Sequence, residues 1–345
     1  MEQKKPRRYQ GGKVRQIRMD YTGIVTALIL LLLITALMIG CVVARKKAAN
    51  EPVVPPTEDV SSEAVSSESS ESSSESSESK LEYKKMSAAD LKKGDLILIN
   101  REHLYNAADA EGITNVRSGR MTDIQENSWA LPIGDKALQA LEAMQTGMKL
   151  ALQDQMVLLV NAGYRTAEDQ QKLIDEYTKE NGEDYVKNYV APVGGSEHHS
   201  DLAADISFYD LAKKKVHATT SDNAAAHYSW ILANSRNYGL VLRYTADKQD
   251  VTGYGPESWH FRYVGIPHAT YMAENHLALE EYLEAVKEYS YGNRLTVENG
   301  ENAWEIYYVA LDTNADETPV PVPQTGSYEI SGNNSDGFIV TVKVK

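Results

Sequence analysis

The chain has 345 residues, a net charge of −14 and a single cysteine, Cys41. That length admits one large domain or two small ones; the acidity argues against nucleic-acid binding, which wants a basic patch; and a lone cysteine excludes an intrachain disulfide. Five of the 49 acids, Glu63, Glu68, Glu71, Glu75 and Glu78, sit in the Ser/Glu run from Ser61 to Ser79, which holds no Lys or Arg.

Residues 1–22 read as a disordered basic tail, with Lys4, Lys5, Arg7, Arg8, Lys13, Arg15 and Arg18 set against Glu2 and Asp20. From Gly23 to Ala44 runs an uncharged, mostly apolar stretch of 22 residues. As a helix it is long enough to cross a hydrocarbon core of about 30 Å. The heavier positive flank precedes it, which predicts a cytoplasmic N-terminus and an extracellular chain after Arg45. The run is longer than an ordinary signal-peptide apolar region, so 23–44 is expected to be an uncleaved, single-pass signal anchor in the cell membrane. Met38-Ile39-Gly40-Cys41 also faintly resembles a lipoprotein cleavage site, which would leave Cys41 lipidated; either route tethers the protein. Residues 45–80 are a linker, first Pro-bearing and then Ser/Glu repeats. It lacks apolar surface to bury and its charges repel, so an extended, disordered spacer is expected.

From 81 to 290 the pattern predicts an α+β domain. Leu96-Ile97-Leu98-Ile99 reads as a short strand after Gly94. Asp135 is placed to cap a helix with Leu138, Leu141, Met144 and Met148 on one face, and Met156 to Val160 is a buried strand ending near Gly163. Thr166 caps the next helix, which stops at Asn181-Gly182. Leu202, Ala204, Ile206 and Phe208 alternate with Ala203, Asp205 and Ser207, predicting a half-buried strand with Asp205 pointing away from the apolar face. Ser221 to Asn237 is expected to be helical, closing at Gly239, with a strand over Leu240 to Tyr244 and helix from Pro267 to Tyr289. No βαβ rhythm runs through this order, hence α+β rather than α/β. Residues 291–345 change character: Asn299-Gly300 is a turn signal, Ile306 to Leu311 an apolar strand, and Phe338, Val340, Val342 and Val344 alternate after a turn-rich stretch, predicting a small β appendage.

Two stretches carry chemistry, Ser196-Glu197-His198-His199-Ser200-Asp201-Leu202-Ala203-Ala204-Asp205 and Glu257-Ser258-Trp259-His260. Together they offer two imidazoles and a carboxylate, a set suited to Zn²⁺ with three protein ligands and an open position, plus a spare glutamate. Were His198 on the same strand as Asp205, seven residues at about 3.3 Å each would separate them by roughly 23 Å, so the chain must fold back near Ser200 and Asp201. Glu257 and His260, three apart, reach the same side if the chain winds there like a helix or turn. Glu257 is then the group to take a proton from water and pass it to a leaving amine. His103, His217, His227, His268 and His276 have no partner at ligand spacing and read as structural. His199 adjoins His198, but neighbours in an extended segment point opposite ways.

These motifs resemble the LAS metallopeptidases, whose pattern Ser-x-His-x-x-Gly-x-Ala-x-Asp precedes Glu-x-Trp-His. Trp259-His260-Phe261-Arg262-Tyr263-Val264-Gly265 resembles their VanY-type D-alanyl-D-alanine carboxypeptidase branch. Gly163-Tyr164-Arg165 with Gln170, and Tyr238-Gly239 to Arg243-Tyr244, extend the likeness, which covers roughly Leu96 to Tyr271. The resemblance implies a LAS/hedgehog-like α+β fold with His198, Asp205 and His260 as zinc ligands. It also implies Glu257 as general base and acid, Arg165 near the scissile carbonyl or substrate carboxylate, and Ser196, Gln170, Tyr164 and Trp259 around the substrate. Arg165 follows a buried strand and a glycine, a position where functional loops start, and its planar fork suits a carboxylate or developing oxyanion.

The implied activity is removal of the C-terminal D-alanine from peptidoglycan stem peptides by a monomeric enzyme. L,D-carboxypeptidase, D,D-dipeptidase or cell-wall endopeptidase activity on the same fold stays open, as does a non-catalytic, zinc-containing wall-binding module. One departure stands out: Asp201 occupies the pattern's Gly position. Asp tolerates the left-handed backbone that a fold-back there would need, and it adds a carboxylate that could perturb a metal site.

Overall fold

A computed structural model of the protein describes residues 82–110, 112–116, 125–126 and 131–345. The expected tail, membrane span and linker lie outside the described residues. Among those described, no helix is long and apolar enough to cross a membrane.

The chain enters through strand β1 (Glu82–Met86), then the short strands β2 (Ile113–Val116), β3 (Gln125–Glu126) and β4 (Leu131–Gly134). Helix α1 (Asp135–Leu152) follows; Gly134 is its N-cap and Asp135 its first residue, where the carboxylate faces the positive end of the helix dipole. Its apolar stripe buries Leu141, Met144 and Met148 as the spacing predicts, with Leu138 only partly covered. Strand β5 (Met156–Ala162) leads into helix α2 (Ala167–Asn181), capped by Thr166 and stopped at Gly182, and then helix α3 (Glu183–Tyr189).

Strands β6 (Ala203–Asp210) and β7 (Lys215–His217) come next. They are followed by helix α4 (Ala225–Asn234), β8 (Leu240–Tyr244), the single turn α5 (Gln249–Thr252) and β9 (Glu257–Tyr263). The central six-stranded sheet has the order β3-β5-β6-β9-β8, with β7 on β6. Only β3 joins in parallel; β5, β6, β9 and β8 pair antiparallel. The alternation along β6 behaves as expected: Ala204, Ile206 and Phe208 enter a core with Leu141, Met144, Leu158, Ile231 and Phe261. Each fully buried side chain of this size contributes about 1.5–3 kcal/mol. With one face so anchored, the register that positions Asp205 on the other face is strongly specified.

The expected 267–289 helix is two helices, α6 (Ile266–Asn275) and α7 (Leu279–Val286). His276, at φ 55°, takes the left-handed cap conformation between them. The C-terminal region forms a four-stranded antiparallel sheet from β10 (Leu295–Asn299), β11 (Asn302–Ala310), β13 (Ser327–Gly332) and β14 (Gly337–Lys343), ordered β10-β11-β14-β13. The remaining strand, β12 (Thr318–Val322), pairs with β1, so the start of the expected 81–290 domain is stitched to the appendage. Leu295, Val297, Ile306 and Ile339 also share a core with Met272, Tyr282 and Leu283 of α6 and α7.

Leu96–Ile99 is not a strand. The segment is buried, but its polar backbone groups are satisfied elsewhere: Leu96 N–H donates to Ser331 Oγ, Leu98 N–H to the Asn333 carbonyl, and the Ile97 carbonyl accepts from Arg262. An apolar run guarantees burial and leaves the choice of partner to the tertiary structure.

Candidate active site

Asp205 of β6 and His260 of β9 are directly opposed across an antiparallel strand pair. Residues so paired lie side by side on one face of the sheet, and here His260 Nδ1 is 3.0 Å from Asp205 Oδ1. His198 arrives from the 3₁₀ turn Glu197–His199, which Ser196 caps by accepting the His198 N–H. This turn is the fold-back that the spacing demanded. Its hydroxyl cap and i→i+3 bonding reverse the chain without positive φ. Asp201 is absent from the described non-glycine residues with positive φ, Gln153, Lys214, His276 and Asn334. The left-handed conformation expected for it is therefore not used. Its backbone packs directly on Gly134, where a Cβ would collide with the Asp201 carbonyl. The charges acting most strongly on its side chain are those of Asp95, Arg262 and Lys136 rather than the histidine pair.

The candidate ligand atoms of His198, Asp205 and His260 all lie within 4.8 Å of one another, and both imidazoles are buried. His198 Nδ1–H donates to the Gly163 carbonyl at 2.6 Å, which leaves Nε2, 3.4 Å from Asp205, with its lone pair toward the cluster. His260 bonds Glu197 through Nε2 at 3.2 Å and presents Nδ1 to the cluster. Each imidazole therefore has one nitrogen held by an acceptor behind it and the other facing a shared point, as in ligand histidines oriented by their outer partners. Burial disfavours charge on His260, but the Asp205 and Glu197 carboxylates outweigh it and push its pKa up to about 10. Asp205 pays for burial too, yet the two histidines hold it well below the usual carboxylate range. Two imidazole nitrogens and one carboxylate around a point that attracts positive charge are a donor set fit for Zn²⁺, with a further position for water or substrate.

Glu257 begins β9, with Oε2 3.9 Å from His260 Nδ1. The expected helical or turn-like winding is absent, because both residues lie on a strand, where a spacing of three would put them on opposite faces. A β-bulge resolves this. Tyr244 pairs with Glu257 and Leu242 with Phe261, so the intervening β9 residues outnumber those on β8 and the side chains are re-aimed. Burial, assisted by Asp205 and Glu197 and opposed by His260 and Arg165, raises the Glu257 pKa to about 7. A carboxyl poised there exchanges protons readily near neutrality.

Arg165 follows β5 and donates from Nη1 to Gln170 Oε1 at 2.8 Å, while Gln170 is itself anchored by Nε2 to the Ala191 carbonyl at 2.7 Å. Arg165, Gln170, Ser196, Glu257 and the half-exposed Trp259 line the same cleft of about 150 Å³ as the three cluster residues. Tyr164 does not line it. Its hydroxyl donates to the Ala107 carbonyl, which makes it a brace for the preceding loop. His199 donates from Nδ1 to the Arg165 carbonyl and stays outside the cluster.

Among the cleft residues to which sequence reasoning gave no role are Glu197, Tyr244 and Tyr254. Tyr244 packs tilted against His260 with ring centroids 4.9 Å apart, and Tyr254 lies under Arg101 at 4.5 Å. Glu197 is fully buried, with Oε1 accepting from Arg243 Nε at 2.8 Å and Arg262 Nη1 at 2.9 Å; these neighbours hold its carboxyl far below the ordinary range despite burial. The only local signal for it was a charged residue beside a candidate ligand, which is too common to be informative.

An α+β domain with a two-histidine, one-carboxylate cluster, a nearby half-buried glutamate and a cleft arginine defines a metallopeptidase-type site. The family model for VanY, D-alanyl-D-alanine carboxypeptidase, matches residues 133–266. A D-alanyl-D-alanine carboxypeptidase of Enterococcus faecium is 38% identical over 184 residues, covering 53% of this chain and 53% of that protein. One from Enterococcus faecalis is 31% identical over 207 residues, covering 57% of this chain and 69% of that protein. The solved structure of the vancomycin resistance D,D-dipeptidase VanXYg with a D-Ala-D-Ala phosphinate analogue is 29% identical. It covers 76% of this chain and 99% of its own, with a TM-score of 0.66. The chain belongs to the VanY D-alanyl-D-alanine carboxypeptidase family. It spans about half the length, 53%, of the Enterococcus faecium relative.

Proposed function

We propose that this protein is a membrane-anchored zinc D,D-carboxypeptidase that removes the C-terminal D-alanine from peptidoglycan stem peptides on the outer side of the cell membrane, working as a monomer. The observation that carries the reading is the convergence of His198, Asp205 and His260 within 4.8 Å, with Glu257 3.9 Å from His260. The apolar run 23–44 and the spacer behind it support the anchored, outward placement.

When bound, Zn²⁺ would lie between His198, Asp205 and His260 and supply the Lewis acidity that polarises a carbonyl and acidifies a water. Glu257 takes the proton of the attacking water and returns it to the leaving amine, for which its raised pKa suits it. Arg165, held in place by Gln170, supplies a fixed positive charge to the terminal carboxylate or developing oxyanion. Glu257, Arg165 and the cluster line one cleft, so the proposed base, the fixed cation and the metal position face the same bound peptide end.

The test is incubation of the full-length protein with zinc and a synthetic stem pentapeptide, read by mass spectrometry. Loss of one alanine is expected. Loss of the terminal dipeptide would support instead the dipeptidase reading, which has a foothold in the likeness to VanXYg. A substrate cut only when it ends in a mixed L,D bond would mark an L,D-carboxypeptidase, an internal cut an endopeptidase, and zinc binding without hydrolysis a wall-binding module.

A further inference from the structure

Glu197 touches no expected substrate, yet it is fully buried and in contact with a candidate ligand. Its two oxygens are used differently. Oε1 accepts from Arg243 Nε and Arg262 Nη1, and Oε2 faces His260 Nε2 at 3.2 Å. Neither arginine can swing away. Arg243 is clamped in a two-pronged pair with Glu280 at 2.6 and 2.9 Å, and Arg262 also donates to the carbonyls of Asp95 and Ile97. The carboxylate is thus locked in orientation by donors on one side and offers only acceptor capacity to the imidazole on the other.

We propose that Glu197 is a positioning residue that fixes the tautomer of His260, holding hydrogen on Nε2 so that the Nδ1 lone pair faces Asp205 and the metal position. The inference rests on the zinc reading given above. An imidazole that gives one nitrogen to a metal is neutral and carries its single hydrogen on the other, so the better acceptor must lie beside the nitrogen that does not bind. Asp205 competes from the Nδ1 side at 3.0 Å, so without Glu197 the hydrogen has an acceptor on the wrong nitrogen.

Glu197→Gln sharpens the argument, because the amide is nearly the same shape but has one acceptor end and one donor end. Arg243 and Arg262 both present N–H groups to the Oε1 position and demand the amide oxygen there. The amide NH₂ is then turned on His260 Nε2, which must become an acceptor, and the ring's hydrogen moves to Nδ1. A side chain that coordinates nothing would thereby block a ligand atom.

Two measurements on full-length protein labelled with ¹⁵N-histidine test this. In zinc-loaded wild type, the ring-nitrogen spectrum is expected to place the His260 hydrogen on Nε2; finding it on Nδ1 would overturn the proposal without any variant. In Glu197→Gln, zinc affinity measured by chelator competition is expected to fall roughly 10–100-fold, the range for losing an outer partner of a ligand histidine, with Nε2 no longer carrying hydrogen in the metal-free protein. A folded variant with unchanged affinity and an Nε2–H would overturn it, and if the variant does not fold, the wild-type assignment decides. Neither readout uses a peptide. A protein that binds zinc in this way but cleaves nothing would defeat the proposed function and leave the role of Glu197 standing, whereas wild type with no zinc affinity would defeat both.

Discussion

Two cavities on this molecule invite comparison, and the larger one is the less chemical. A cavity of about 570 Å³ lies where the sheet meets the C-terminal strands, bordered by Asp95, Lys136, Tyr263, Trp304, Tyr328 and Glu329. Its charged groups look after themselves or face water: Lys136 is paired with Asp95 at 2.7 Å, and Glu329 is exposed. The cleft of about 150 Å³ instead aims Arg165, His198, Asp205, Glu257 and His260 at one another from three stretches of the sequence. Strand β9 borders both, and the contrast is visible within it. His260 and Tyr263, three apart on regular strand, line different cavities, whereas Glu257 and His260, also three apart, line the same one because the bulge lies between them. Convergence and burial, rather than volume, separate a reactive site from a gap between packed elements.

If that contrast is right, substitutions in the small cleft should be ruinous and those in the large one mild. His260→Ala removes one of the three proposed ligands together with the cross-strand partner of Asp205. Zinc should be lost on dialysis and hydrolysis should fall below detection. A variant that retains stoichiometric metal by elemental analysis would show the ligand set to be wrong. Next in size is Glu257→Gln, which keeps shape and loses the proposed base, expected to cost about 10² to 10⁴-fold in kcat while zinc content is unchanged. Near-normal turnover would move the base elsewhere, and Asp201 is a poor substitute because its strongest charged neighbours are Asp95, Arg262 and Lys136.

The same glutamate gives a stability signature. Its folded pKa, about 7, exceeds the ordinary 4.5, chiefly through burial. A raised folded pKa favours the native state while the group is protonated, and that advantage disappears as pH rises through 7. In chelator-treated protein, Glu257→Gln escapes this loss. Its stability relative to wild type should therefore grow between pH 4.5 and pH 8 by up to about 3 kcal/mol, measured by denaturant unfolding. A difference that stays flat with pH would mean that the carboxyl is well solvated. Smaller again is Gln170→Leu, which strands the Arg165 guanidinium and the Ala191 carbonyl. An unpartnered group of this kind costs about 1–3 kcal/mol, so kcat/KM on a stem pentapeptide should drop roughly 5- to 150-fold, with metal content intact. A drop no larger than the loss of thermal stability explains would make Gln170 a packing residue.

Much of this was legible in the sequence, for physical reasons that can be named. The alternation along Leu202 to Phe208 told which way Asp205 points, because one face of β6 is apolar and a slip by one residue would bury the wrong set. The need for a reversal between His198 and Asp205 followed from strand length alone. What stayed hidden depends on pairing. The bulge exists only in the registration of β8 against β9, which no local pattern records, so the Glu257 winding was expected to be helical. Leu96 to Ile99 announced its burial but not that its partners would be Arg262, Ser331 of β13 and Asn333 just after it. Glu197 acquires its meaning from Arg243, Arg262 and His260, residues 46 to 65 positions away in the chain.

The weakest expected effect closes the comparison from the other side. Glu329→Gln alters a charge on the wall of the larger cavity while leaving its volume and the exposed position of the side chain almost unchanged. Nothing in the small cleft hydrogen-bonds to Glu329. A surface substitution of this kind is worth within about 0.5 kcal/mol in stability, and the charge is screened beyond about 8–10 Å at physiological salt. Hydrolysis of a free stem pentapeptide should therefore stay within about twofold of wild type, a change of roughly 0.4 kcal/mol in the barrier. The informative surprise would be a tenfold loss with metal content and thermal stability preserved. That result would mean that the large cavity acts on the peptide end during turnover, and the distinction between a reactive cleft and a passive gap would have to be given up.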